Sequence, residues 1–308
     1  MPIRSYLYVP GNRPDLFGKA LASGADVVIQ DLEDAVPATE KKVARQAVSV
    51  VLKSLPPVAI FVRLNAADAA LADLAGLTVR GLSGVLLPKA EDPLLVSRID
   101  ETLAAMERAE TRPPGSVLIQ PLIETTVGLY GLAEIAAASA RIRRFAFGAG
   151  DFVRDIRAEA TPSRSETLYA RMRLVARSRF LRLEPPVAHV FTPIKDIEGL
   201  RLACAEDRAL GFYGRSCIHP SQIPIVNAAF TRGTDEIARA RAILAAYAEA
   251  NANGRGSLIL DDGTFVDQAI AAKARDALVL ASQESLHNES RLGASRQKGT
   301  RRTGHGHG

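Results

Sequence analysis

The chain has 308 residues, of which 47% are hydrophobic and 24% charged, a composition that suits one barrel-sized domain or two smaller ones. The formal net charge of +5 comes from five basic residues beyond residue 290, since the preceding residues balance 34 basic against 34 acidic side chains. With a neutral body and no motif of a nucleic-acid-binding class, the sequence predicts no nucleic-acid partner.

The chain contains two cysteines, Cys204 and Cys217, which form no C-x-x-C pair, so neither a disulfide framework nor a thiolate metal site is indicated. Arg4, Pro10 and Arg13 interrupt the region where a signal peptide needs an apolar segment, and no apolar run reaches membrane-spanning length. We therefore expect a cytoplasmic protein without a membrane partner.

Short apolar runs alternate with helical patterns, which include 14–22, 39–52 and 126–138. The runs are typical of buried strands, and they cover 5–9, 27–30, 59–62, 84–87, 117–123, 145–148, 186–190 and 211–213. Eight such strands alternating with helices predict an α/β fold of the (β/α)₈ barrel type, in residues 1–232. Active sites of such barrels lie at the carboxyl ends of the strands.

Two acidic residues follow neighbouring predicted strands almost directly. Glu124 comes after the run 117–123, and Asp151 follows the run 145–148. Because parallel strands end at the same face of a barrel, the two carboxylates are expected to converge there and could hold a hard cation such as Mg²⁺. Taken alone, each could equally be a helix N-cap or a solvated loop residue.

Other polar residues follow the remaining strands. Asp31, Glu33 and Asp34 come after the second strand, where they could surround a metal site or suit the dipole of the helix that follows. Arg63 and Lys89 follow the third and fourth strands, and each could serve chemistry or pair with those acids. Since all these residues map to one face of the predicted barrel, a functional site there is the better interpretation.

Beyond the predicted barrel, residues 233–284 form an appendage. It contains a helix over 235–252, a hairpin over 257–267 with an Asp-Gly turn, and a last helix over 268–282. We interpret the appendage as a lid or as an arm that packs on a neighbouring subunit. Residues 285–308 are predicted to be a disordered basic tail, in which His305 and His307 are not metal ligands.

Seven ordered motifs give the chain a family resemblance. They are RSYLYVPGNRP at 4–14, DLED at 31–34, VRLN at 62–65, LPK at 87–89, IET at 123–125, FGAGD at 147–151 and IHPSQI at 218–223. In this order they resemble the HpcH/HpaI aldolase family, and within it the citrate lyase β-subunit-like branch with malyl-CoA and citramalyl-CoA lyases.

The resemblance implies a TIM-type barrel, a homotrimer or homohexamer, that cleaves or forms a carbon–carbon bond in a 3-hydroxyacyl-CoA with the help of Mg²⁺. Glu124 and Asp151 match the family's metal ligands, and Arg63 matches an arginine near the reacting oxygens. Arg13 and Lys19 match family positions near the coenzyme A moiety, and Asp267 matches a catalytic acid or base on the lid. The family usually has a proline two residues after this aspartate, where this chain has Ala269.

The expected reaction is therefore that of an oxo-acid lyase, which yields an acyl-CoA and glyoxylate or pyruvate. Four alternatives stay open at this point: a (3S)-malyl-CoA thioesterase, a CoA-independent 2-keto acid aldolase, a Schiff-base aldolase that uses Lys89, and a catalytically silent subunit. The substrate is not fixed, because a hydrogen-for-methyl difference on the keto acid changes binding by only about 1–3 kcal/mol.

Overall fold

The structure is a computed structural model that describes residues 3–300, with side chains through residue 284. It divides into two compact units, one formed by Ile3–Phe230 and the other by the residues from Thr231 onward. Among the described residues, no helix is both long enough and apolar enough to span a membrane.

The first unit is built on a sheet of seven parallel strands, in the order β6-β5-β4-β3-β2-β1-β7. The strands are β1 (Ser5–Pro10), β2 (Val27–Asp31), β3 (Ala59–Arg63), β4 (Leu82–Leu87), β5 (Leu118–Ile123), β6 (Ala146–Phe147) and β7 (Arg215–Cys217). This order joins strands that are consecutive in sequence, apart from the β1–β7 pair, as expected when helices connect parallel neighbours. The α/β prediction is thus confirmed.

Both faces of the sheet are buried, which explains why its strands read as nearly continuous apolar runs. One face carries a small cluster that includes Tyr6, Ile29 and Phe61, with the rings of Tyr6 and Phe61 packed edge to face at 6.1 Å between centroids. The other face, with residues such as Val28 and Val62, belongs to the larger core that contains the buried sides of the helices.

Ten helices follow the strands of this unit, within the described part of the chain. They are α1 (Pro14–Ala22), α2 (Lys41–Lys53), α3 (Ala69–Ala75), α4 (Pro93–Ala109), α5 (Thr126–Tyr130), α6 (Leu132–Ala137), α7 (Ala149–Asp155), α8 (Leu168–Phe180), α9 (Ile197–Leu210) and α10 (Ile223–Phe230). Short 3₁₀ turns cover 38–40, 165–167 and 220–222. The single helix predicted over 126–138 is divided at Gly131, a poor helix former, into α5 and α6.

The last two predicted strands differ from the structure. The run 211–213 is not a strand, because Gly211 (φ 104°) caps α9 in the left-handed region and Gly214 (φ 94°) is left-handed too, so that extended chain begins only at Arg215. The run 186–190 makes single parallel bridges, from Val187 to Ala146 and from Ala188 to Arg215. These bridges connect the two edge strands, β6 and β7, consistent with a barrel-like curl of the sheet.

The second unit contains two helices and a hairpin. Its elements are α11 (Thr234–Ala252), β8 (Leu258–Ile259), β9 (Phe265–Val266) and α12 (Gln268–Thr300). The predicted hairpin is confirmed: β8 and β9 are antiparallel, and Gly263 takes the positive φ of 81° that its turn requires. Helix α12 continues to Thr300, beyond the predicted end at 282, in a stretch without proline. Residues 301–308, with His305 and His307, lie outside the described residues.

A buried carboxylate on α4 fixes the chain that leads into β5. Glu107 is fully buried and pairs with Arg141, with 2.7 Å between Glu107 Oε1 and Arg141 Nη1. It also accepts hydrogen bonds from the backbone N–H groups of Gly115 (2.9 Å) and Val117 (2.8 Å). Burial by itself raises the pKa of this carboxyl, but the Arg141 and backbone hydrogen bonds outweigh burial and lower it to about 2.

We expect Glu107→Gln to lower the free energy of unfolding at pH 7 by about 1–3 kcal/mol, because it leaves the buried Arg141 guanidinium with Asp100 as its remaining carboxylate partner. Since the folded-state pKa lies below the ordinary value of 4.5, this stabilisation is present above pH 4.5 and is lost as the pH falls towards 2. Urea denaturation at pH 7 and pH 3 measures both effects. Glu101→Gln, at an exposed position of the same helix, is the control. Equal losses in the two variants would contradict the account.

Candidate active site

A cavity of about 470 Å³ lies at the carboxyl ends of the strands in the first unit. Its polar lining comes from the ends of different strands, as expected for a site at this face of parallel sheet. The polar side chains in its lining are Tyr8, Asp31, Asp34, Arg63, Glu124, Asp151 and Ser216. The structure therefore brings together five residues that the sequence assigned to this face, namely Asp31, Asp34, Arg63, Glu124 and Asp151.

Glu124 lies directly after β5 and is only 5% exposed. The backbone N–H of Lys89 donates to Glu124 Oε2 at 3.0 Å, which fixes the carboxylate against the end of β4. A Cβ atom at position 148 would lie 2.4 Å from Glu124 Cγ, so only glycine fits beside this side chain. Burial raises the pKa of Glu124 to about 7, an effect that Glu33 reinforces and the Lys89 N–H opposes.

Asp151 lies in the first turn of α7, the helix that follows β6. Its two carboxylate oxygens have different neighbours: Oδ1 is 3.0 Å from Arg154 Nη2, and Oδ2 is 3.6 Å from Lys89 Nζ. Asp151 is therefore held from two sides while it lines the cavity.

Arg63 ends β3 and is bound by the acids that end β2. Its Nε and Nη2 donate to the two oxygens of Asp31 at 2.7 and 2.6 Å, and its Nη1 lies 2.7 Å from Glu33 Oε2 and 3.2 Å from Asp34 Oδ2. The guanidinium also stacks over the ring of Tyr8, 5.2 Å from its centroid. Burial by itself lowers the pKa of Arg63, but its hydrogen bonds to Asp31 and the negative charge of that residue outweigh burial and hold the pKa above its usual range.

The acids after β2 thus have Arg63 as their main partner. The helix that follows, α2, begins only at Lys41, and the ion pairs that the structure shows for these acids are those with Arg63 and, at Glu33, with Lys89. Burial raises the pKa of Glu33, whereas the charges of Arg63 and Lys89 oppose that rise. The acids after β2 therefore lie beside the cavity, and Arg63 and Lys89 partly balance their negative charge.

The donor set fits a hard divalent cation. Glu124 is a buried carboxylate, and because burial raises its pKa to about 7, a bound cation would stabilise its ionised form. Within the residues described with side chains, no group of three or more His, Cys, Asp or Glu has the spacing of a complete metal site. Glu124 and Asp151 would then supply two oxygen ligands and leave the other positions to water and substrate, as Mg²⁺ sites commonly do.

The residues predicted to lie near coenzyme A are outside this cavity. Arg13 is exposed and pairs with Asp15, with hydrogen bonds of 2.8 and 2.7 Å. Lys19 lines a second cavity of about 240 Å³, which shares Tyr8, Pro10 and Ile218 with the first. The two cavities are therefore adjacent at the end of β1.

Asp267 belongs to the second unit, in which it caps α12. Its Oδ1 accepts a hydrogen bond from the backbone N–H of Ile270 at 3.0 Å. This is the geometry of a helix N-cap.

Sequence reasoning missed two features of the cavity. From the sequence, Tyr8 is simply a residue of the first strand, although its position near the strand end, on the same face as Tyr6, places its ring under Arg63. Gly148 is part of the motif at 147–151, for which the sequence analysis gives it no separate role. The signal was present, because a glycine between a buried strand and an acidic residue indicates a close approach of another group.

A family model described as HpcH/HpaI aldolase/citrate lyase matches residues 4–220. The chain belongs to this family. A citrate lyase subunit beta-like protein of Deinococcus radiodurans is 35% identical over 284 residues, which cover 90% of this chain and 96% of that protein. The family resemblance predicted from the ordered motifs is therefore confirmed.

Two relatives from Cereibacter sphaeroides have different activities in their names. One is a (3S)-malyl-CoA thioesterase, 32% identical with coverage of 91% of this chain and 95% of that protein. The other is an L-malyl-CoA/beta-methylmalyl-CoA lyase, also 32% identical, with coverage of 92% and 95%. Among solved structures, the CitE protein of Mycobacterium tuberculosis in complex with magnesium, acetoacetate and coenzyme A has a TM-score of 0.74 and 30% identity, covering 91% of this chain and 98% of that one.

As a member of the HpcH/HpaI aldolase/citrate lyase family, the chain is an enzyme of the oxo-acid-lyase type. The parallel α/β sheet that carries the cavity agrees with the TIM-barrel-like fold of this family. The silent-subunit alternative is not supported.

We expect Gly148→Ala to lower the free energy of unfolding by about 1–3 kcal/mol, because the added methyl group overlaps Glu124. The backbone at Gly148 (φ −113°) is accessible to alanine, so the cost comes from the contact alone. Gly150→Ala is a matched control, since a Cβ at that position meets no atom within 4 Å. Chemical denaturation of both variants checks the prediction, and a destabilised Gly150→Ala with an unaffected Gly148→Ala would refute it.

Proposed function

We propose that this protein is a Mg²⁺-dependent carbon–carbon lyase that cleaves or forms a 3-hydroxyacyl-CoA such as malyl-CoA or citramalyl-CoA. The observation that carries the proposal is the joint placement of Glu124, Asp151 and Arg63 around one cavity at the strand ends of a chain from this family. The magnesium, acetoacetate and coenzyme A in the complex of the Mycobacterium tuberculosis relative support the same class of ligands here.

Glu124 and Asp151 would hold the metal ion. Bound there, Mg²⁺ would lower the pKa of a substrate hydroxyl and stabilise the keto acid that forms from it. The chain's own contribution is to present two carboxylates in fixed positions: the Lys89 N–H orients Glu124, and the start of α7 orients Asp151. Fixed ligands avoid the cost of reorganisation during the reaction.

In the cleavage direction, the hydroxyl proton passes to solvent water, the hydroxyl-bearing carbon becomes the carbonyl carbon of the keto acid, and the bond between that carbon and the α-carbon of the thioester breaks. The electron pair of that bond passes to the thioester as an enolate, and a proton added at the α-carbon completes the acyl-CoA. Arg63 would stabilise the developing negative charge through the second N–H of Nη2, because Asp31 accepts from Nε and Nη2 while Nη1 faces Glu33 and Asp34. Asp267 would supply the proton at the α-carbon.

Residues outside the main cavity would bind coenzyme A and complete the site. Lys19, which lines the adjacent cavity, and the exposed Arg13 would contact the phosphates of coenzyme A. The second unit would act as a lid that brings Asp267 to the site of a neighbouring subunit in a homotrimer or homohexamer. In the first unit, the bridges at Val187 and Ala188 favour a closed (β/α)₈ barrel.

A thioesterase is the second candidate. It is favoured by the relative named (3S)-malyl-CoA thioesterase, whose identity to this chain equals that of the malyl-CoA lyase. The same site would then admit water to the thioester carbonyl, and the products would be free CoA and malate. A CoA-independent 2-keto acid aldolase is a third candidate, which would use the same metal ligands. A Schiff-base aldolase is less favoured, since Lys89 Nζ is engaged by Glu33.

We expect the wild-type enzyme to release keto acid and acyl-CoA together from malyl-CoA or citramalyl-CoA, and EDTA to abolish this release. Asp151→Asn should lower kcat/KM by about hundredfold or more, because it removes a charged ligand that stabilises the reacting oxygens. Glu159→Gln, an exposed substitution just beyond α7, should leave kcat/KM unchanged.

The products of this assay distinguish the candidates. Free CoA without keto acid would favour the thioesterase, whereas cleavage of the free hydroxy acids alone would favour the CoA-independent aldolase. Turnover that resists EDTA and survives in Asp151→Asn would contradict the metal-dependent mechanism in any of its forms.

A further inference from the structure

Lys89 combines two features that are rare in one residue. It follows β4 with a backbone φ of 46°, in the left-handed region that non-glycine residues seldom adopt. Its backbone N–H donates to Glu124 at 3.0 Å, while its side chain reaches another part of the same site. Strain of this kind is retained where the surrounding structure requires it, often at functional sites.

The ammonium of Lys89 lies among carboxylates. Its Nζ is 3.1 Å from Glu33 Oε1 and 3.6 Å from Asp151 Oδ2, and the Lys89 side chain is 28% exposed. The other oxygen of Glu33 faces Arg63 at 2.7 Å, and the other oxygen of Asp151 faces Arg154 at 3.0 Å. Lys89 is thus the cation that links the acids after β2 to the acid on α7.

The two cations beside Asp151 differ in their surroundings. The Arg154 side chain is 76% exposed, so solvent and salt screen its charge. Lys89 is more enclosed and contacts a second carboxylate, Glu33, whose side chain is only 8% exposed. The charge of Lys89 therefore acts more strongly on the cavity than that of Arg154.

We propose that the ammonium of Lys89 balances the negative charge of Glu33 and Asp151 when no metal is bound, and so acts as their counter-cation. We also propose that this ammonium opposes the binding of a divalent cation at Glu124 and Asp151. The second part rests on the proposed metal site, whereas the first part does not. Lys89 is a positioning residue, which acts on the metal ion through the carboxylates and the field that it imposes on them.

A counter-cation and a purely structural residue differ in how their removal changes protein stability and metal affinity. Removal of the Lys89 charge leaves Glu33 and Asp151 less compensated, so the metal-free protein becomes less stable. The same removal eliminates repulsion between the ammonium and a bound divalent cation, so metal affinity rises. A residue that merely maintains the shape of the site would lower stability and metal affinity together.

The test is calorimetric titration of Mg²⁺ into EDTA-treated, dialysed protein, together with thermal unfolding of the same samples. We expect Lys89→Met to bind Mg²⁺ about tenfold more tightly than wild type. Its metal-free midpoint of unfolding should be lower than that of wild type, and saturating Mg²⁺ should narrow the gap. Lys89→Arg retains the charge and should keep wild-type affinity.

Two further variants separate charge from other effects. Arg154→Met removes the screened cation beside the same carboxylate and should change Mg²⁺ affinity by less than about twofold. Lys89→Gly also removes the ammonium but relieves the left-handed backbone, so it should match Lys89→Met in affinity and exceed it in thermal stability. Weaker or unchanged Mg²⁺ binding in Lys89→Met, or an equal gain in Arg154→Met, would overturn the proposal.

A double-mutant comparison tests the counter-cation role without any metal. In a Glu33→Gln background, Lys89→Met should lower the metal-free midpoint by less than it does in the wild-type background, because one of its carboxylate partners is already neutral. Equal losses in the two backgrounds would overturn the counter-cation role. Absence of Mg²⁺ binding by the wild type would instead refute the proposed metal site, and this comparison would still decide the role of Lys89.

Discussion

The mutual repulsion of carboxylates at one end of a parallel sheet is the constraint on which the site depends. Asp31 and Arg63 are direct register partners on β2 and β3, so the pairing of these strands brings an acid and a base together at their ends. The bidentate contact between them then orients Arg63 towards Glu33 and Asp34 as well. Without this guanidinium, three acidic side chains would share the end of one strand with little compensation.

The same constraint extends across the cavity. Glu124 is fixed by a backbone N–H and by the absence of a side chain at Gly148, yet its pKa is raised because burial outweighs these contacts. Burial thus disfavours the ionised form of Glu124. This cost connects the fold to the chemistry, because a divalent cation bound beside Glu124 would offset it and could polarise a substrate.

Much of this arrangement was accessible from the sequence. Buried parallel strands are short apolar runs, and the residues after them meet at one face, so the sequence assigns Glu124, Asp151 and Arg63 to a common site. The ordered motifs added the family. Boundaries were less accessible where glycine decides them: Gly211 and Gly214 delay the last strand to Arg215, although Phe212 and Tyr213 look like strand residues.

Contacts made by backbone or by several partners were also beyond sequence reasoning. The N–H of Lys89 that binds Glu124 has no signature in the side-chain pattern. The sequence did offer Arg63 and Lys89 as partners of the acids after β2, and both pair with them, but the bidentate contact of Arg63 with Asp31 depends on strand register. The hairpin of the second unit was easier to predict, since the Asp-Gly turn alone indicated the pair of strands that precedes Asp267.

The most direct test of the central claim is a crystal structure of the protein grown with Mn²⁺ in place of Mg²⁺ and a 2-oxo acid, with anomalous data collected to locate the metal. The account predicts one anomalous peak within about 2.2 Å of carboxylate oxygens from both Glu124 and Asp151, with the keto acid bound to the same ion beside Arg63. A peak bound by other residues, or a keto acid bound in the cavity without metal, would contradict it.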